Sequence, residues 1–200
     1  MTFDLSGAHA GSAYKILSCL VTPRPIAWVT TLDSKGTVNA APFSFFNVFG
    51  SKPPLIAFAP GNREPGVPKD TARNIREQGE FVINLVDADV LDAMNASARP
   101  LPYGFSEIEG SGLTLIPSET IRVPRIAEAP AALECKEHST LEIGGNRLVI
   151  GTVLRAHARD GLFDPENLAF NAPAYQPIGR MASPSWYCHT DRLFELERPE

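Results

Sequence analysis

"NAAPFSFFN", residues 39–47, decides how this chain is read. Its apolar residues alternate with small and polar ones, as in a half-buried strand. Yet Pro42 stands in the middle, and proline cannot donate to a sheet ladder, so it belongs at an edge or a bulge. On these residues alone, the stretch is an irregular edge strand that packs its phenylalanines into a core. Alanines on one side of the proline and hydroxyl and amide groups on the other raise the question of what else the edge serves.

Working outward, "IAWVTTLDSKGTVNAAPFSFF" reads as strand, turn, strand, with Asp33 to Gly36 supplying the turn chemistry. Residues 12–20 suit a short helix with Tyr14, Ile16, Leu17 and Leu20 partly buried, ended by "TPRP". "PPLIAFAP" (53–60) is a third strand, and the Gly- and Pro-rich residues 61–70 form a loop. "TARNIREQ" (71–78) predicts a helix with Asp70 as N-cap and Gly79 just past its end. "EFVINLV" (80–86) is a strand. Residues 87–98 have a helical pattern with Val90, Leu91 and Met94 on one face, and 99–112 are loop-like, with a helical turn allowed at "FSEIE". From Leu113 the chain is mostly β, with a hairpin turn at Gly144, Gly145 and Asn146. The result is six or seven strands with few helices and no βαβ alternation. That predicts a mainly β protein, a closed antiparallel barrel with peripheral helices. One domain spans 1–200, with a barrel core over about 20–160 and a Pro- and aromatic-rich tail over about 161–200 that packs on the barrel or a neighbour.

Composition narrows the functional classes. The formal net charge is −5 and 44% of residues are apolar, so no basic face for nucleic acid or an anionic membrane is expected. No apolar run is long enough for a helical membrane span, and the first residues lack the pattern of a secretory signal. Three cysteines far apart suit a reducing compartment. The expectation is a soluble, cytoplasmic protein.

Most catalytic motifs are missing. GxGxxG, GxxxxGK[ST] and GxSxG do not occur. Ser12-x-x-Lys15 has the S-x-x-K spacing without its companion motifs and reads as chance. Cys135-x-x-His138 and Cys188-His189 are too loosely spaced for a zinc site, and no metal is expected. His157, near the end of a strand, is either a histidine bonded to backbone or a catalytic contact residue in a cleft. Lys69, Asp70 and Thr71 open a helix, where unpaired N–H groups and the helix dipole favour a phosphate. Capping alone explains the same residues.

Several stretches in order then carry a resemblance. Arg24 to Ala27 (R-P-I-A), Asn39 to Phe46 (N-x-A-P-F-S-x-F), Pro53 to Leu55, Lys69 to Asn74 (K-D-T-x-x-N) and Glu80 to Asn84 (E-F-V-x-N) strongly resemble the flavin reductase-like family with the FMN-binding split β-barrel fold. The resemblance implies an FMN cofactor, NADH or NADPH as electron donor, and a homodimer with flavin near the interface. It implies reduction of flavin for an acceptor such as a flavin-dependent monooxygenase, or the role of a non-enzymatic FMN electron carrier. By the same resemblance, Asn39, Ala40, Ala41, Pro42, Phe43, Ser44, Phe45 and Asn47 would border the flavin. Pro42 would break the strand ladder and free backbone groups for the ring. Lys69, Asp70 and Thr71 would lie on the phosphate side, Thr30 and Thr31 would border the site, and His157 would contact the nicotinamide or flavin edge.

Overall fold

The computed structural model describes residues 1–199. Its strands are β1 (Ala27–Leu32), β2 (Val38–Phe43), β3 (Phe46–Ser51), β4 (Pro54–Phe58), β5 (Asn62–Glu64), β6 (Val67–Pro68), β7 (Glu80–Asn84), β8 (Leu115–Ile116), β9 (Arg125–Ile126), β10 (Ala131–Ile143), β11 (Asn146–Ala158), β12 (Gly179–Arg180) and β13 (Tyr187–Cys188). The α-helices are α1 (Ala13–Leu20), α2 (Asp70–Gln78) and α3 (Leu91–Ala96).

Seven strands form one sheet in the order β2-β1-β7-β10-β11-β4-β3, and every pairing in it is antiparallel. The two outermost strands, β2 and β3, are consecutive in the chain. Only Ser44 and Phe45 separate them. The sheet must therefore curl until its edges meet. The side chains show it: Phe43 on β2 packs against Phe58 on β4 with ring centroids 5.4 Å apart, although four strands lie between them in the sheet order. Phe58 in turn meets Phe81 on β7 at 5.6 Å. One buried cluster draws Val29, Phe43, Phe58, Ile83, Cys135 and Val149 from six different strands. The barrel is closed by covalent chain and packing, with the last hydrogen-bonded ladder missing.

β1 runs through the centre of this arrangement. Its apolar run is continuous because both faces are covered: Ala27 and Val29 face the barrel interior, and Trp28 faces a second core beneath α3, with Met94, Ile126 and Ile178. The Trp28 indole N–H donates to the Ser97 hydroxyl at 2.9 Å, so its polar edge is satisfied. At Gly151 on β11 a Cβ would fall 2.4 Å from Phe81, so a side chain there would push the core apart.

Several details depart from expectation. Pro42 does not break the ladder: the β1–β2 register runs through Trp28↔Pro42 to Ala27↔Phe43. Asp70 is the first helical residue of α2, and Lys69 holds the N-cap position without a side-chain cap. Gly79 does end α2 in the left-handed region, with φ of 71°. The loop at 61–70 contains the β5–β6 pair, the helix expected over 87–98 narrows to α3, and "FSEIE" forms no helix. The face of α1 expected to be partly buried is largely open, with Tyr14, Leu17 and Leu20 exposed. No described helix is long and apolar enough to cross a membrane.

Candidate functional site

A cavity of about 350 Å³ lies along the outer edge of β2. This size falls in the usual range for small-molecule sites. Asn39, Ala41, Pro42 and Phe43 form one wall, and Lys69, Asp70 and Thr71 another. The structure thus brings the two main sequence-predicted groups together around one space. The remaining wall comes from Asn62, Arg63, residues 97–101 and Glu107.

The edge explains the proline. The Ala40 N–H donates outward, to the Glu107 carboxylate at 2.9 Å, away from β1. Backbone direction alternates along an antiparallel strand, so position 42 points the same way. An ordinary residue there would expose an N–H to the cavity. Proline has none, and its ring costs the β1 ladder nothing. The carbonyls of Ala40 and Pro42 face the same side as acceptors.

The other end of the cavity is rich in donors. Asp70, Thr71 and Ala72 carry the first N–H groups of α2, and no side chain caps them. Arg63 reaches the Asp70 carboxylate at 2.9 Å. Lys69 holds its ammonium 5.5 Å from the Phe43 ring centroid. Desolvation, then the like charge of Arg63, pulls its pKa below the ordinary lysine value. Among the described residues, neither Lys69 nor Arg99 has a carboxylate partner. Asn62 Oδ1, also at this wall, is buried without a hydrogen bond. The chemistry left incomplete here is that of a phosphate-bearing polar ligand: unpaired cations, open helix N–H groups and a few acceptors.

A smaller cavity of about 190 Å³ continues the groove past Pro42 and Phe43. Ile26, Ser44, Met94 and Tyr187 line it, with Arg180 lying over the Tyr187 ring at 4.5 Å. Ser44 is steadied by Arg24 Nε at 3.4 Å. Arg24 itself is buried and donates to the carbonyls of Ser18 and Val21, tying the end of α1 to this corner.

The other expected residues are placed differently. Thr30 and Thr31 are fully buried and line neither cavity. Thr30 donates to the Pro124 carbonyl, and Thr31 accepts from Asn74. Asn39 donates to the Thr71 hydroxyl at 3.0 Å, so these two pin α2 against β2 as well as lining the cavity. Phe45, in the turn, and Asn47, on β3, are exposed, and Phe45 packs against Tyr14. His157 sits at a different cavity, formed by the β9–β10 connection and the end of β11. Its Nε2 lies 2.6 Å from the buried Glu134 carboxylate, and the histidine is bonded to a side chain, not to backbone. Among the described residues no cluster of three metal-ligating side chains occurs. Sequence reasoning missed Arg63, Arg99, Glu107 and Arg180. Arg63 lies on the short β5, Arg99 and Glu107 on the connection after α3, none with a periodic signal, and Arg180 comes from the tail.

A curled seven-stranded barrel, open at one seam and carrying a groove beside that seam, defines the split-barrel class. Within it, the chain belongs to the flavin reductase-like domain family, whose sequence model matches residues 18–179. The chain is 38% identical to 2-nitrobenzoate 2-nitroreductase of Pseudomonas fluorescens, whose structure superposes with a TM-score of 0.90 over 100% of this chain and 96% of that one. It is 35% identical to nitrilotriacetate monooxygenase component B of Bacillus cereus, with a TM-score of 0.91 over 98% of both chains. An uncharacterized protein of Deinococcus radiodurans is 44% identical over 98% of this chain and 88% of its own length.

Proposed function

We propose that the protein binds FMN in the groove beside β2 and is an NADH- or NADPH-dependent flavin reductase. The observation that carries this reading is the pairing of a cation-lined, uncapped helix start with a second cavity that continues along the same strand edge past Pro42 and Phe43. The similarity to a nitroreductase and to a monooxygenase component supports an oxidoreductase with a separate final acceptor, such as a flavin-dependent monooxygenase.

The residues present fit the cofactor. Lys69, Arg63, Arg99 and the first N–H groups of α2 would hold the phosphate. Ala41, Pro42, Phe43 and Ser44 would border the ring, small enough for the backbone to approach it and apolar enough to exclude water. Arg24 keeps the Ser44 turn in place. Bound flavin supplies the hydride-accepting chemistry, and the protein supplies orientation and hydrogen bonds. No acid–base pair is required, so a catalytic task for His157 is not part of this reading.

The same proposal places a second copy against the open apolar face of α1 and β3. Tyr14, Leu20, Val48 and Phe49 are each 65–69% exposed there, more than singly scattered surface residues would explain. Light scattering should give twice the 21.7 kDa chain mass.

The deciding experiment is anaerobic stopped-flow mixing of FMN-loaded protein with NADH and with NADPH. Rapid bleaching of the flavin absorbance, with turnover on added free flavin, is expected. Bleaching only by a reduced protein donor would make the protein an electron carrier. Failure to retain FMN at micromolar concentration would remove the reading.

A further inference from the structure

Glu107 is an unexpected group in this cavity. It is a carboxylate, 8% exposed, in the wall of a site whose other features await an anion. Burying it raises its pKa, and Asp70 pushes the same way, while the Ala40 N–H, its own amide and Arg99 oppose them. A pocket built for phosphate alone gains nothing from such a group. Its geometry shows what it is set up to meet. Oε2 is fixed by the Ala40 N–H at 2.9 Å. Beyond the Ala40 amide and Glu107's own amide, no described group donates to this carboxylate, so acceptor capacity is left over in the cavity wall that it forms. An ionised carboxylate accepts and never donates. The complementary ligand group is therefore a donor, and hydroxyl is the donor that can sit beside a phosphate without adding charge.

Position along β2 agrees. Asn39 contacts Thr71 at the helix end of the groove, and Pro42 and Phe43 are shared with the second cavity. Glu107 is held at Ala40, between them. At about 3.3 Å per strand residue it stands one step from the phosphate-ready end and a few from the second cavity.

We propose that Glu107 is the binding residue for the polyol of the bound nucleotide, taking hydroxyl hydrogen bonds on Oε1 while Ala40 holds Oε2. The proposal rests on the flavin reading above and names the part of the ligand that this residue selects. The alternative is that Glu107 only caps the open sheet edge.

The test is a titration of wild type and Glu107→Gln with three probes: FMN, riboflavin, which lacks the phosphate, and lumiflavin, which lacks both phosphate and polyol. The substitution should weaken FMN and riboflavin by the same factor, about tenfold or more, as for hydrogen bonds to a charged group. Lumiflavin affinity should stay within about twofold of wild type, which also shows that the variant site is folded. An equal loss for lumiflavin would leave Glu107 as an edge cap and overturn the proposal. So would a gain for FMN with riboflavin unchanged, which would mean that the carboxylate merely opposes the phosphate. Wild type that takes up none of the three would remove the flavin reading itself, an outcome separate from an altered ratio in the variant.

Discussion

Glu107 and Glu134 are both buried carboxylates, and their surroundings are opposite. Glu134 is fully enclosed on β10 and accepts four hydrogen bonds, from the Glu119 and Thr120 amides, the Thr120 hydroxyl and His157. Burial pushes its pKa up, but these donors outweigh burial and hold it at about 2. Glu107 has only the Ala40 amide and its own, and there burial wins and the pKa rises. The saturated carboxylate fastens the 119–120 turn to the β10–β11 hairpin and has nothing left to offer a ligand. The unsaturated one stands in a cavity. Completeness of hydrogen bonding, more than burial or charge, separates the structural corner from the binding corner in this molecule.

The sharpest way to break this contrast is at the binding corner. Lys69→Ala removes a cation without a partner, so the fold should not notice. FMN affinity should fall on the order of tenfold to a hundredfold, the scale of a charge-assisted hydrogen bond of ~1.5–3 kcal/mol. Riboflavin, without a phosphate, should bind almost as before. Equal losses in fluorescence titrations would mean that Lys69 does not face the phosphate.

The mirror experiment is Glu134→Gln. It should lower stability in urea by about 1.5–3 kcal/mol, because donors arranged for a carboxylate would meet an amide. FMN affinity should not move. A flavin defect in this variant would join the two corners and undo the comparison. It would also revive His157, which Glu134 holds, as a contact for the reacting rings.

The pH dependence of stability sharpens the same point. The folded pKa of Glu134 lies below its ordinary value of 4.5, so its contribution is complete above that value. It is lost as the pH falls through about 2. Wild type should therefore show a steeper loss of stability between pH 4.5 and 2 than Glu134→Gln does. Parallel acid limbs in the two proteins would contradict the assignment.

The barrel was legible because its signals are local. The turn at Asp33 appears as read, with the carboxylate accepting from the Lys35 and Thr37 amides, and so does the two-residue link between Ile143 and Asn146. Motif residues were legible as positions but not as tasks. Asn74 and Asn84 look like site residues in a string of letters. In the fold Asn74 bonds Thr31, and Asn84 joins the Trp28 carbonyl to the Ile126 amide. The outer wall of the cavity was hidden for a different reason. Arg63 on β5 and Arg99 and Glu107 in the single connection from α3 to β8 come from segments whose approach to β2 depends on the whole sheet having curled. The burial of α1 was misjudged because an amphipathic pattern does not say what covers it, and in this fold Tyr14, touched by Phe45, and Leu20 stay exposed.

Pro42→Ala should have the smallest effect, and it tests the account of the strand edge directly. The register through Trp28↔Pro42 shows that β1 does not need an N–H at this position, so no ladder bond is gained or lost. What changes is the unfolded chain, which becomes more flexible at a cost of about 0.4–1 kcal/mol. The new N–H would point into the cavity beside the Ala40 and Pro42 carbonyls, where water can reach it. Stability in urea should fall by no more than about 1 kcal/mol, with flavin affinity changed less than roughly threefold. A loss beyond about 2 kcal/mol would mean that the proline fixes the bend into Ser44 and Phe45, and that the seam of the barrel depends on it.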